Sequence, residues 1–257
     1  MKLLSWITSS SPGATRIKQS LLLDSQRREK KSVRGGKLLN TDEAKNYYVK
    51  KRNSERIKVV GVVMMLQNEE TEDTRMSSRE LRGRTHDSTY TLYRLGERLS
   101  PGAMQYVETG RTDSLDTGGD SPNILDVFGG PGIPQGEGST VTRTFLDGNH
   151  TLVSMMARIN PSPDWFVGVD SFQLCVEGNW VDTVTVELDP LDGGTDNGFT
   201  FTAANWPTNP QGIAYRITSR YPAHPAGSFY YPNLPRLPPI ATLTFTKRVA
   251  FVGDTFN

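Results

Sequence analysis

The stretch Ser162-Pro163-Asp164-Trp165-Phe166-Val167-Gly168-Val169-Asp170-Ser171-Phe172-Gln173-Leu174-Cys175 constrains this chain more than any other. A rigid Pro-Asp turn feeds a run of aromatic and β-branched residues, side chains that pack well on a pleated, half-buried surface. The run therefore predicts a strand, Phe166–Cys175, and nothing in it has the look of a catalytic centre. It also holds the sole cysteine, so no disulfide can form within the chain. A secreted domain of this size often has disulfides, so the count by itself argues mildly against secretion.

The sequence around the run repeats the pattern. Thr151–Ile159 alternates, with Val153, Met155, Ala157 and Ile159 on one face. Glu177-Gly178-Asn179 is a turn. Trp180–Asp189 follows, with Val184, Val186 and Leu188 inward. Phe199–Thr202, Ile213–Ser219 and Ile240–Val249 complete the set, and Ala241, Leu243 and Phe245 share a face in the last. Many short strands with Gly- and Pro-rich turns predict a mainly β fold, an antiparallel β-sandwich. Tyr90, Tyr93, Leu95, Met104, Tyr106 and Val107 suggest one or two short helices, and Ser100-Pro101 marks a helix start. Gly118–Gly138 lacks the strand-to-helix setting of a phosphate loop and reads as a surface connector.

Charge divides the chain. Residues 1–82 hold 18 of the 29 Lys+Arg and 10 of the 28 Asp+Glu, a balance of +8, which leaves −7 for the remainder. Residues 1–82 are accordingly expected to be a basic, largely disordered tail. Its clusters, Arg27-Arg28-Glu29-Lys30-Lys31 and Lys50-Lys51-Arg52, also match a heparin, nucleic-acid or localisation patch. No interleaved aromatic platform supports nucleic-acid binding, and none is expected. Met1–Ile7 has one positive charge and an apolar stretch shorter than the roughly 7–15 residues of a signal peptide. Val59–Leu66 is broken by Gly61 and far short of the roughly 20 residues of a membrane helix; it reads as one buried strand.

The candidate site is acidic. If Phe166–Cys175 and Trp180–Asp189 pair as a hairpin, Asp164 and Asp192 come to the same end of the sandwich. Hard oxygen ligands on loops suit Ca²⁺, which takes about 6–8 oxygens. The competing reading is that both aspartates cap turns. Asp170 alternates with Phe166, Phe172 and Leu174, which turns it inward into a structural hydrogen-bond network. Trp165, Trp180 and Trp206 read as core or rim residues, with an aromatic platform for sugar rings as the rival. Cys175 reads as a small buried hydrophobe. His86, His150 and His224 are too scattered to ligate one metal. Asn149-His150-Thr151 fits the N-glycosylation acceptor pattern.

Several motifs together resemble the spondin domain, the N-terminal module of mindin and F-spondin. They are Thr85-His86-Asp87-Ser88-Thr89-Tyr90, Val107-Glu108-Thr109-Gly110, His150-Thr151-Leu152-Val153-Ser154, the Ser162–Cys175 run, Asp192-Gly193-Gly194-Thr195-Asp196-Asn197-Gly198-Phe199-Thr200-Phe201, His224-Pro225-Ala226-Gly227-Ser228-Phe229-Tyr230-Tyr231-Pro232 and Leu237-Pro238-Pro239-Ile240-Ala241. The likeness covers about residues 84–248, and the domain is read as 84–250. It implies a secreted, extracellular-matrix adhesion module that is not an enzyme, with integrins, other cell-surface receptors or glycoconjugates as partners and no insertion into membranes. It also implies a calcium site with aspartates at Asp164 and Asp192. The family's glutamate ligand falls at Phe145, and Asp147, two residues on and on the same strand face, is the candidate substitute.

Three departures accompany the likeness. The family's opening strands and the cysteine that would pair with one at the Cys175 position find no counterpart in residues 1–80. No signal peptide precedes the domain, and no thrombospondin type 1 repeat follows Arg248. The expectation is an N-terminally truncated domain, through a truncated product or a wrongly assigned first exon. Two rival functions stay open, a Ca²⁺-dependent lectin-like module for carbohydrate or glycolipid and a metal-assisted hydrolase, the latter without a convincing general base.

Overall fold

A computed structural model describes residues 33–34, 37–38, 57–60, 77–116, 121–134 and 136–249. The chain divides into two compact units, Met1–Arg52 and Asn53–Asn257. In the first, β1 (Val33–Arg34) and β2 (Lys37–Leu38) pair antiparallel.

The second unit holds β3 (Ile57–Val60), β4 (Ser77–Ser78), β5 (Leu81–His86), the helix α1 (Pro101–Thr109), β6 (Ile124–Gly130), β7 (Arg143–Leu146), β8 (Leu152–Asn160), β9 (Trp165–Gln173), β10 (Cys175–Val176), β11 (Asn179–Trp180), β12 (Thr183–Leu188), β13 (Leu191–Asp192), β14 (Tyr215–Arg216) and β15 (Ala241–Val249). One sheet has the order β14-β13-β9-β8-β5-β6, with β4 also on β8. The other has the order β12-β15-β3-β7. Every pairing is antiparallel. The β-sandwich read from the sequence is the fold.

The period-2 pattern of β8 explains the layering. Val153, Met155, Ala157 and Ile159 point into the space between the sheets. There they join Trp165, Val167 and Val169 of β9 and Ala241, Leu243 and Phe245 of β15. Met156 and Phe166 point the other way and pack with Tyr106 and Val107 of α1 and with Leu92, Tyr93 and Leu99 of the preceding loop. The large sheet is thus covered on both faces, which is why β8 is buried almost throughout.

The helix begins where the sequence places it. Ser100 Oγ accepts the Ala103 amide at 3.2 Å, Pro101 opens the first turn, and Gly110 at φ 76° ends it. The Arg158 guanidinium donates to the Val107 and Glu108 carbonyls at the helix end. Tyr90–Leu95 is not helical, although Leu92 and Tyr93 are buried.

The close approach of β8 and β9 depends on Gly168, opposite Met156. A Cβ there would lie 2.2 Å from the Met155 carbonyl oxygen. Gly168→Ala is expected to cost about 1–3 kcal/mol through forced strand separation. Urea melts check this, and a midpoint equal to that of the parent would refute it.

Several sequence expectations are corrected. β3 and β4, with the start of β5, fall inside the span read as tail, yet they pair in the two sheets. Of Val59–Leu66, read as one strand, Val59 and Val60 belong to β3 and residues 61–66 lie outside the described residues, while Ser77–Ser78 is too short and polar to show alternation. Gly118–Gly138 is not all connector, because Ile124–Gly130 is an edge strand on β5. Phe199–Thr202 forms no strand, and of Ile213–Ser219 only Tyr215–Arg216 does. Trp180–Asp189 does not fold back along β9. Only Cys175–Val176 and Asn179–Trp180 pair, about a two-residue turn with positive φ at Glu177 and Gly178. β12 then crosses to the other sheet and pairs with β15.

Candidate metal centre

The hairpin idea fails, but its consequence for the two aspartates survives by another route. After β12 the chain returns, and β13 pairs with the start of β9, Leu191 opposite Phe166 and Asp192 opposite Trp165. Asp164, one residue before β9, therefore sits beside Asp192 at one end of the sandwich. Both are buried, at 0% and 2% exposure.

The turn that delivers Asp164 is held by Ser162, whose hydroxyl donates to the Ile159 carbonyl at 2.7 Å and accepts the Trp165 amide at 3.1 Å. One carboxylate oxygen of Asp164, Oδ2, accepts three hydrogen bonds: the Thr195 amide at 2.7 Å, the Thr195 hydroxyl at 3.0 Å and the Asp196 amide at 3.1 Å. The other, Oδ1, is buried with no hydrogen-bond partner among the described residues. Asp192 Oδ1 accepts the Gly194 amide at 2.8 Å, and its Oδ2 accepts the Trp165 indole N–H at 3.2 Å and the Tyr215 hydroxyl at 2.8 Å.

Burial, then the neighbouring Asp192 charge, raises the Asp164 carboxyl to about 7. Burial likewise raises Asp192, against the hydrogen bonds it accepts and with Asp196 adding to the rise. Two adjacent carboxylates out of water need either a shared proton or a cation. The orphaned Asp164 Oδ1 is where either would act. Hard oxygens and an unmatched buried acceptor fit Ca²⁺. Among the described residues, no group of three or more His, Cys, Asp or Glu side chains could by itself hold a metal. The two aspartates would therefore share an ion with backbone carbonyls or water.

Asp147 does not join them. Its Oδ1 accepts the Asn149 and His150 amides and bonds His150 Nδ1, all at 2.9 Å, in the turn before β8. β8 starts at Leu152 opposite Gln173, the far end of β9 from Trp165. Nine residues at about 3.3 Å each put the two ends roughly 25 Å apart. The same-face reading from Phe145 fails because β7 ends at Leu146, so Asp147 lies in the turn and not on the strand.

Sequence reasoning missed Asp196 as a member of the cluster. It is 7% exposed, and accepts the Gly198 amide at 2.7 Å on Oδ1 and the Trp206 amide at 2.9 Å on Oδ2. The signal was present in Asp192-Gly193-Gly194-Thr195-Asp196-Asn197-Gly198. Asp-x-Gly occurs twice in tandem, and in each copy a carboxylate takes the amide two residues on.

Residues 71–239 match the Spondin_N family model. The chain belongs to the spondin family. Spondin-2 of rat is 43% identical over 172 residues, which is 65% of this chain and 52% of the relative. Human Spondin-2 is 42% identical over the same length. Human Spondin-1 is 30% identical over 184 residues, 68% of this chain and 22% of the relative. The chain thus spans about half the length of the Spondin-2 relatives. The match begins at residue 71, ahead of the residue 84 at which the motifs start the likeness and inside the stretch read as a tail without family counterpart.

Other residues singled out in this spondin chain have structural surroundings. His86 is buried, with Nδ1 on the Asp87 carbonyl at 2.7 Å and Nε2 on the Ser154 hydroxyl at 2.8 Å. Asp170 lies half-buried among Ser154, Ser171 and Arg94. It shares a face with Phe166 but not with Phe172, because a bulge at Ser171, φ 51°, inserts one residue between them. Cys175, Trp165 and Trp180 are buried. Trp206 is not a core residue. It is 60% exposed, on an arm fixed by the Asp196 bond, the Asn197 amide on its carbonyl at 2.8 Å and the Thr208 amide on the Thr195 carbonyl at 2.9 Å.

Proposed function

We propose that this spondin domain is a non-catalytic recognition module of the extracellular matrix, with loops set by a Ca²⁺ ion shared between Asp164 and Asp192. The observation that carries the reading is the buried Asp164 Oδ1, without a hydrogen-bond partner among the described residues, beside a second buried carboxylate. Recognition loops on a rigid sandwich need their geometry fixed, and a cation would fix this one. Cell-surface receptors such as integrins are the proposed partners. The neighbouring cavity, lined by Trp165, Phe199, Ile217 and Phe229 among others, measures about 10 Å³. That is room for about one water, which suits packing and not a substrate. Among the described residues, no helix is long and apolar enough to cross a membrane. The test is adhesion of the full chain to cells and to immobilised integrin ectodomains, in Ca²⁺ and in chelator. Equal binding in both would overturn the calcium reading, and binding to neither surface would overturn the receptor reading.

One observation favours glycoconjugates as the ligand. Trp206 presents an indole on an arm braced directly against the acidic cluster, and aromatic faces of this kind stack on sugar rings. Trp206→Ala is expected to lower glycan or glycolipid retention at least tenfold while leaving the melting temperature in place. A blank glycan array in Ca²⁺ removes this reading.

A further inference from the structure

We propose that Asn149 carries an N-linked glycan, on the opposite end of the sandwich from the carboxylate pair. Asn149-His150-Thr151 is the one Asn-X-Ser/Thr triplet without a central proline in the 257 residues. A sequon alone is weak, because a buried or committed asparagine cannot hold a sugar in the folded protein. Here Asn149 is exposed, at the tip of the turn between β7 and β8. Its backbone amide donates to Asp147 Oδ1, and no hydrogen bond involves its side-chain amide among the described residues. The turn is held by other atoms: the His150 amide and Nδ1 on Asp147, and His150 Nε2 on the Pro122 carbonyl at 3.0 Å. Substituting Asn149 Nδ2 therefore breaks nothing that shapes the loop.

The chemistry requires a lipid-linked oligosaccharide pyrophosphate as donor. Nδ2 forms a bond to the sugar C1, the C1–O bond breaks, the lipid pyrophosphate leaves with the electron pair, and the amide loses one proton. That donor is met only in the secretory pathway, so the inference rests on the extracellular reading above. It adds an orientation. Leu152 and Gln173 pair at the glycan end of β8 and β9, while Trp165 and Asp192 pair at the other. The glycan leaves Asp164, Asp192 and Trp206 clear and blocks close approach of any surface to the β7–β8 turn.

The full chain, placed behind a heterologous signal sequence, is translated with endoplasmic-reticulum microsomes, and only protease-protected product is scored. The expected result is one upward mobility step, reversed by peptide N-glycosidase without denaturation. Asn149→Gln abolishes the step, Thr151→Ser keeps it, and Asn149→Gln leaves any Ca²⁺-induced rise in melting temperature unchanged. Protected chain with no step, or a step that survives Asn149→Gln, overturns the proposal. Imposed delivery separates the two claims: lack of receptor or glycan binding overturns the functional reading without touching the gel, and an unshifted band overturns the site even where binding holds.

Discussion

Saturating Ca²⁺ is expected to raise the melting temperature of this chain by about 5–10 °C, and Asp164→Asn is expected to abolish the rise. A ligand that binds only the folded state at a hundredfold excess over its Kd adds about 2.7 kcal/mol. For a domain of this size each kcal/mol moves the midpoint by about 2–4 °C. The asparagine keeps an oxygen for the three donors from Thr195 and Asp196, and it removes the charge that burial and Asp192 oppose. Without metal, the variant should therefore melt above the parent at neutral pH. A metal-free variant that melts well below the parent would mean that the Asp164 charge is stabilised by something other than a cation.

The same pair sets a pH dependence with a definite sign. Both carboxyls are raised in the folded state, Asp164 to about 7 and Asp192 to about 6, from an ordinary value of 3.8. The folded state thus holds protons that the unfolded state releases. In chelator this contribution is fully present below about pH 3.8 and is lost as pH rises through 6 and 7. Ca²⁺ takes the place of the proton, so its stabilising effect should grow across that same window. Thermal melts from pH 4 to pH 8, with and without Ca²⁺, should diverge with rising pH. Parallel curves would remove the pair as the metal site.

Much of this was legible in the residues. The faces of β8 and β15 follow from strict alternation, and the start of α1 from Ser100-Pro101, because these signals are local. What failed was non-local. Nothing within Trp180–Asp189 says that it leaves β9 for the opposite sheet, and nothing in Phe145–Asp147 says that the strand ends at Leu146. The Ser171 bulge hides in a similar way, since one inserted residue flips Phe172 to the core while Asp170 stays with Phe166. Asp196 was legible as a turn former in its Asp-x-Gly frame. Its place beside Asp164 depends on a loop crossing that only the folded chain makes.

Trp165→Ala is expected to lose about 3–5 kcal/mol of stability and to weaken Ca²⁺ binding with it. The side chain is 1% exposed, in edge or tilted contact with Phe201 and Phe229 at 5.2 Å each. Its removal forfeits both the aromatic packing and the surrounding cavity's dispersion contacts. The indole N–H is also one of two side-chain donors on Asp192 Oδ2, Tyr215 being the other. Losing it disfavours the ionised carboxylate and raises its proton affinity further, in competition with metal. Trp165→Phe separates the two roles, keeping most of the packing without the donor. It should recover most of the stability but little of the Ca²⁺ response. Trp206→Ala, at 60% exposure, is the opposite control and should stay within about 0.5 kcal/mol of the parent. Urea melts of the three variants with and without Ca²⁺ decide the matter. A Trp165→Ala midpoint within about 1 kcal/mol of the parent would mean that this indole is not the link between the core and the acidic end.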